Sequence, residues 1–283
     1  MRKNIARSFL PAAWLGWQIE SNWADPLMFF IFSIIKPIAS VLILVFMYNA
    51  VAQVSPGDPI FAYIYLGNAF YIYVGAVIAG TSFSIIDDRE RYRSLKYIYI
   101  APISIPIYLV GRAVARFVIG TMAVIITLGT GMIFFQLPIN LLTINWLLLF
   151  GAMGLGVLCM VLMGIALGMW TLTLRTEPWF LGEALAASLY LFSGAIFPIS
   201  ILPTWLQPLG YLMPISYWLE LIRRALLGSN AGAFPTFAAF SNAELFGILG
   251  GITLLFGVIA AGTYKLCDRI AREKGMIDTV SNF

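Results

Sequence analysis

The stretch INWLLLFGAMGLGVLCMVLMGIALGMWTLTL, residues 144–174, contains neither a charged residue nor a proline. At about 1.5 Å per residue a helix this long exceeds the roughly 30 Å hydrocarbon thickness of a bilayer, so it reads as a membrane span. Two further stretches, 27–51 and 61–85, are almost as free of charge, as helices facing hydrocarbon must be. Carried along the chain, the same reading gives six spans: 27–51, 61–85, 107–135, 144–174, 181–199 and 244–266. The fifth is cut short by Pro198 and Pro203. The apolar but proline-broken run that follows, to Gly228, cannot be one continuous helix.

Composition agrees with this. Of 283 residues, 61% are hydrophobic and 11% charged, and there is no histidine. A soluble core could not hide that much apolar surface. The net charge of +4 therefore belongs to loops and not to a nucleic-acid-binding face. Cys159 and Cys267 offer neither a disulfide framework nor a metal site. Arg2, Lys3 and Arg7 are followed by Pro11, Gln18 and Glu20 instead of a clean apolar core with a cleavage site, so the first span is expected to stay in the mature protein. Ahead of that span, residues 8–24 set Leu10, Trp14 and Trp17 at helical spacing, the pattern of a helix lying in the membrane interface. Asp25 before Pro26 is a good helix start.

Basic residues give the orientation. Arg2, Lys3 and Arg7 precede span one; Arg89, Arg91, Arg93 and Lys96 lie between spans two and three; Arg175 follows span four; Lys265, Arg269, Arg272 and Lys274 close the chain. The short opposite loops, 52–60 and 136–143, hold no lysine or arginine, so the positive-inside rule places both termini in the cytoplasm. Arg223 and Arg224 are the exceptions, in the long loop after span five. No internal repeat, low-complexity tract or soluble domain interrupts the layout, and residues 1–283 read as a single membrane domain.

Catalytic machinery is missing. There is no G-x-x-x-x-G-K-[ST] run to cradle phosphates. Without histidine, neither a Ser-His-Asp arrangement nor a His-based metal site can be built. The chain is read as a non-enzyme with no metal and no cofactor of its own. Its most informative polar segment is DDRERYRSLKYIYIAPIS, residues 87–104, where a charged cluster runs into alternating aliphatic and aromatic residues closed by Pro102 and Pro106. This is either a short docked helix or a solvated loop whose basic residues hold the membrane surface.

The run SLKYIYIAPIS, residues 94–104, resembles the cytoplasmic coupling segment of type-2 ABC exporter permeases, which read acidic-Arg-Glu, then Gly-Thr-Leu, then Leu-rich turns ending in Pro and Ser. A second run, SGAIFPISILPTWLQPLGYLMPISYWLELIRRALLG, residues 193–228, is similar to the family's signature after span five. Phe197-Pro198, Leu202-Pro203, Pro214 to Tyr217, and Arg223 or Arg224 follow in the family's order. Arg93 departs from the pattern: it stands where the family often has glycine, with extra residues between Glu90 and Leu95.

The resemblance implies an all-α integral membrane protein with six transmembrane helices. An N-terminal interfacial helix (1–26), a cytoplasmic coupling helix between spans two and three (86–106), an extracytoplasmic re-entrant hairpin between spans five and six (200–230) and a cytoplasmic tail (267–283) complete it. A second permease copy or close relative is expected, with two cytoplasmic ABC ATPase subunits that bind ATP and Mg. Asp88, Arg89, Glu90, Leu95, Tyr97, Ile98 and Pro102 are then expected in the ATPase groove, Arg89 and Glu90 making polar contacts and Leu95, Tyr97 and Ile98 anchoring. Relatives line their cavity with spans two and five. That points to Asn68, Phe70, Tyr71, Tyr73, Tyr190, Phe192 and Phe197 as the substrate pathway, against lipid-facing or packing roles.

Pro198, Pro203, Pro214, Tyr217, Glu220, Arg223 and Arg224 are expected to shape an exit gate, against a plain stabilising lid. In that segment Trp218, Leu221, Ile222 and Ala225 share one helical face, with the three charges around the other. Inside the spans, Lys36 is expected to snorkel. Arg112 and Arg116, four apart on one face, are expected to pair with Glu183, or else to guide an anionic headgroup. Gly164 with Gly168, and Gly247 with Gly251, are small-xxx-small pairs for close helix packing.

The expected function is an ATP-driven exporter of an amphipathic, lipid-like or drug-like molecule in the cell (plasma) membrane, in contact with lipid and with no nucleic-acid partner. A lipid-linked glycan exporter would have a similar core. An ATP-independent secondary transporter would show inverted repeats or paired acids at mid-membrane, and neither is present. A non-transporting scaffold would leave the hairpin and the cytoplasmic aromatic helix unexplained.

Overall fold

The computed structural model describes residues 5–21, 26–47, 59–174, 179–228 and 235–277, which form helices and turns with no strand among them. The expectations for Arg2, Lys3, Asp25, Arg175, most of loop 52–60 and residues 278–283 fall outside that set, as does the side chain of Lys36. In chain order come α1 (Ile5–Ser21), α2 (Pro26–Met47) and a long composite helix. The composite consists of α3 (Pro59–Tyr73), a π-helical segment (Val74–Ala79), α4 (Gly80–Ile86) and a second π segment (Asp87–Arg91). Then follow α5 (Leu95–Ile100), α6 (Ile105–Phe134), α7 (Trp146–Leu172), α8 (Trp179–Phe192), α9 (Gln207–Leu212), α10 (Pro214–Leu227) and α11 (Asn242–Glu273).

Four of these are long and apolar enough to cross a membrane: the composite helix over Ile60–Arg91, α6, α7 and α11. The starts of two of them are marked by side-chain caps. Asn145 caps α7 by accepting the Leu148 N–H at 3.1 Å. At α11, Ser241 Oγ accepts from Glu244 N while the Glu244 carboxylate accepts from Ser241 N at 2.7 Å, so two amides without helical partners are satisfied reciprocally. This last helix runs past the expected end at residue 266. Ion pairs one turn apart, Arg272 with Asp268 and Arg269 with Glu273, line its final turns.

Span five differs from its expectation. α8 stops at Phe192, and Gly194 takes a left-handed φ of +74°, a conformation that suits glycine and breaks the helix. The 14 residues of α8 therefore cover about 21 Å, short of the hydrocarbon core by themselves. The chain continues as a 3-10 turn at Ile199–Ile201 and the two short helices α9 and α10.

The composite helix is the centre of the bundle. Of its most apolar window 72% is buried, against 22% for α11, which sits at the rim. Close approach holds it to α7. A Cβ on Gly164 would lie 3.0 Å from the Ile78 carbonyl oxygen, and one on Gly168 would lie 3.1 Å from the Ser82 Cα, so here the small-xxx-small pair does bring two helices together. Gly247 and Gly251 repeat the spacing without the contact: a Cβ on either meets nothing within 4 Å among the described residues. On α1, the small side chains Ser8 and Ala12 are buried, with Gly16 against Ala115 of α6, while Leu10 and Trp14 stay outward. Outward apolar side chains are unremarkable where the solvent is lipid.

Candidate functional site

A cavity of about 700 Å³ lies between α2, the composite helix, α6 and α8. Two features of the composite helix shape it. The first is the π-helical segment Val74–Ala79, whose wider i→i+5 turn puts Gly75 and Ala76 on the wall; such turns recur at functional sites. A Cβ on Gly75 would meet nothing within 4 Å, so it would project into space. The second is a polar aromatic patch one to two turns earlier. The Tyr190 hydroxyl donates to Asn68 Oδ1 at 2.7 Å, the Tyr71 hydroxyl donates to the Ala186 carbonyl, and the two rings are 4.6 Å apart.

Of the expected pathway residues, the structure thus brings Asn68, Tyr71 and Tyr190 to the cavity. Phe70 and Tyr73 point elsewhere on the same helix. Both pack edge-on against Trp218 of α10, and Tyr73 stacks on Phe117 and donates to Thr121 Oγ1 at 3.0 Å. Phe192 and Phe197 are half-buried packing residues outside the lining. The sequence reading missed Gly75, Ala76, Gly80, Ala186 and Ala187, which line the cavity by being small.

Beneath the cavity is a buried ionic hub. Arg112 Nη1 donates to Asp88 Oδ1 at 3.0 Å, the Tyr108 hydroxyl donates to Asp88 Oδ2 at 2.7 Å, and both charged side chains are 1% exposed. Tyr108 and Arg112 are one turn apart on α6, so one carboxylate reaches both. Arg116, a turn further, pairs with Glu20 of α1 at 2.7 Å and lies 4.0 Å from Asp87. Glu183, the expected partner of these arginines, is instead exposed on α8. The π turn at Asp87–Arg91 carries two adjacent carboxylates to the base of α6, and a buried guanidinium needs a partner at that position.

The same turn places residues 94–104, the segment expected to meet a partner. Arg89 pairs with Glu90 at 2.7 Å and donates to the Leu172 carbonyl at 3.0 Å, at the negative end of the α7 dipole. Leu95 and Ile98 plug a socket lined by Ile85, Tyr108, Leu109 and Met169. The expectation that Asp88, Arg89, Glu90, Leu95 and Ile98 present themselves to a partner is therefore corrected: these side chains face inward. Tyr97 and Pro102 do face outward, joined by Tyr92 and Ile100. Arg93 has φ +51°, the left-handed conformation that glycine would hold without cost. Tyr99 lies under the Arg272 guanidinium at 4.9 Å, which brings the end of α11 against α5. Burial, reinforced by the nearby Asp268 carboxylate, pushes the Tyr99 phenol above its ordinary range.

At the other end of the composite helix sits the proline-broken segment. Pro198 precedes the 3-10 turn, the turn ends at Leu202 before Pro203, and Pro214 opens α10, where its missing N–H costs nothing. The expected apolar face of α10 is buried, but so are Glu220 and Arg223, so this is no surface helix with a charged rim. Each charge is satisfied internally. Arg223 donates to the carbonyls of Tyr63 (3.1 Å) and Gly194 (2.8 Å) with its guanidinium 3.5 Å from the Tyr63 ring centre. Glu220 pairs with Arg224 at 3.0 Å, and Arg224 also donates to the carbonyls of Phe237 and Phe240. The Tyr217 hydroxyl donates to the Tyr211 carbonyl at 2.7 Å, tying α10 to α9.

Comparison with known families places this arrangement. No match was found among curated proteins. The family model of the ABC-2 type transporter matches residues 13–227, from within α1 to the end of α10, and so takes in the cavity, the hub, α5 and the proline-broken segment. The chain belongs to the ABC-2 type transporter family, as a membrane permease.

Proposed function

We propose that this permease forms the translocation pathway of an ATP-driven exporter for an amphipathic, lipid-like or drug-like molecule. Two copies of a separate cytoplasmic ABC ATPase bind the ATP and Mg, and a second permease copy or close relative completes the transporter. α2, and α8 together with the chain that continues it to the 3-10 turn, join the four longer helices to make six spans, with both termini on the cytoplasmic side of the plasma membrane. α1 lies in the interface, and the proline-broken segment, re-entering from the far side, shapes the exit.

One observation carries the reading: the wall of the cavity and the seat of α5 are parts of a single helix. The composite helix lines the cavity from Asn68 to Phe83 and continues to Asp88, whose carbonyl accepts the Ser94 N–H at 2.8 Å just before α5 begins. A displacement of α5 is thereby delivered to the cavity wall. The two π segments are the places where that helix can change register. Tyr63, held by Arg223, lies roughly 35 Å along the same helix from Asp88, so the two ends reach opposite membrane faces. Closure of the ATPases shifts the equilibrium only if it contacts α5 differently in the two states.

The contact surface is the outward face of α5, Tyr97 and Ile100 with Pro102, apolar anchors of the kind that dominate interfaces. Tyr97 and Ile100 are 66% and 81% exposed, so the double change Tyr97→Asp with Ile100→Asp leaves the fold intact. It is expected to lower co-purification with the ATPase by about tenfold or more. Capture of the ATPase at the parental level would contradict the coupling role.

A further inference from the structure

We infer that the cavity takes an amphiphile with a single anionic head, a carboxylate or phosphate, which Arg116 recognises while the apolar chain lies along the π-helical wall. The inference rests on the cavity being the transport pathway. Among the described lining residues Arg116 is the one cation, and no carboxylate is among them. Its stem crosses the helix at Gly80, where an added Cβ would lie 2.9 Å from Arg116 Cδ. Its partners, Glu20 and Asp87, both meet Nη2 from outside the lining. A guanidinium has five N–H donors, so two contacts to Nη2 do not exhaust a side chain that also lines the cavity, and its planar fork suits a carboxylate or phosphate.

The rest of the wall fits a chain. From Gly80 back to Asn68 the helix covers about 18 Å. It presents Ile72, Gly75 and Ala76 there, opposite Ile119 and Ala123 of α6. The Tyr71 and Tyr190 hydroxyls are already engaged with Ala186 and Asn68. A glycan would lose many hydrogen bonds to water and find few groups on these walls to replace them, the unpaired Asn68 Nδ2 and the Arg116 fork among them. An acyl chain loses nothing by entering. Glu20 is 22% exposed at the end of α1, placed to release Arg116 as an anionic head takes over the pairing.

The test uses the full-length permease in nanodiscs without ATPase. Fluorescence anisotropy follows a fluorophore-bearing twelve-carbon chain that ends either in phosphate or in trimethylammonium. The phosphate probe is expected to bind about tenfold more tightly or better. Arg116→Gln should abolish the preference, Arg116→Lys should keep part of it, and Glu20→Gln, which removes the nearer of the two competing carboxylates, should tighten binding of the phosphate probe severalfold. Equal binding of the two probes, a preference that survives Arg116→Gln, or Glu20→Gln without effect would overturn the inference. If the preference holds but ATP and the ATPase move neither probe, the transport reading fails while the binding site stands.

Discussion

Replacing Asp88 with alanine is expected to destabilise the permease by about 3–5 kcal/mol, the usual consequence of stripping one partner from a buried ion pair. Arg112 would remain in place with a side chain only 1% exposed and its charge uncompensated. The Tyr108 hydroxyl would lose its acceptor in the same step. The composite helix would thus come loose from α6 where α5 begins. Asp88→Asn keeps an acceptor for Tyr108 but not the charge, so an intermediate loss is expected. Removing both charges, in Asp88→Ala with Arg112→Met, should recover much of the deficit, because a well-packed apolar replacement of a buried pair is often neutral or better. The thermal midpoint of the purified permease in detergent, measured for Asp88→Ala, Arg112→Met and the double, shows whether the two losses are coupled. Additive losses would mean that the pair does not act as a unit.

The second large effect is expected at Arg223. Its guanidinium bridges the carbonyls of Tyr63 and Gly194 and stacks on the Tyr63 ring, at 2% exposure. It therefore fastens the left-handed break after α8 to the start of the composite helix. Arg223→Ala loses two charge-assisted hydrogen bonds and leaves a void, for a loss of about 3 kcal/mol or more. Arg223→Lys should recover little, since a point charge on a flexible stem cannot span both carbonyls or stack. Limited proteolysis between residues 193 and 214, together with the thermal midpoint, checks this: cleavage should accelerate in both variants. A Lys variant as resistant as the parent would show that charge alone suffices.

The three longest unbroken helices were legible because apolar runs longer than a bilayer admit no other reading, whereas the caps at Asn145 and Ser241 emerged only from the structure. The end of span five was not. Ser193 and Gly194 sit in a run without a charge from residue 184 to 219, and only the positive φ at Gly194 shows that the helix stops there. The arginine partners were misread for a related reason. Spacing correctly put Arg112 and Arg116 on one face, but the π segments shift the register of the preceding helix, so α-helical periodicity does not say where Asp87 and Asp88 point. The buried charges of α10 hide from an amphipathicity argument because backbone carbonyls, invisible in sequence, satisfy Arg223. In the cavity, Asn68, Tyr71 and Tyr190 announce themselves as polar groups in apolar helices. Gly75 and Ala76 do not, since a small residue looks alike whether it faces a partner helix or open space; Gly168 and Gly251 make the same point on two other helices.

The cavity is expected to carry substrate under ATP control. Permease and ATPase co-reconstituted in liposomes should move a fluorescent amphiphile only when ATP is supplied. Gly75→Trp, which fills the cavity from a position where nothing lies within 4 Å of the new Cβ, should abolish that movement while the ATPase stays bound. Transport at the parental rate by the Gly75→Trp permease, or movement by the permease without ATPase and ATP, would contradict it.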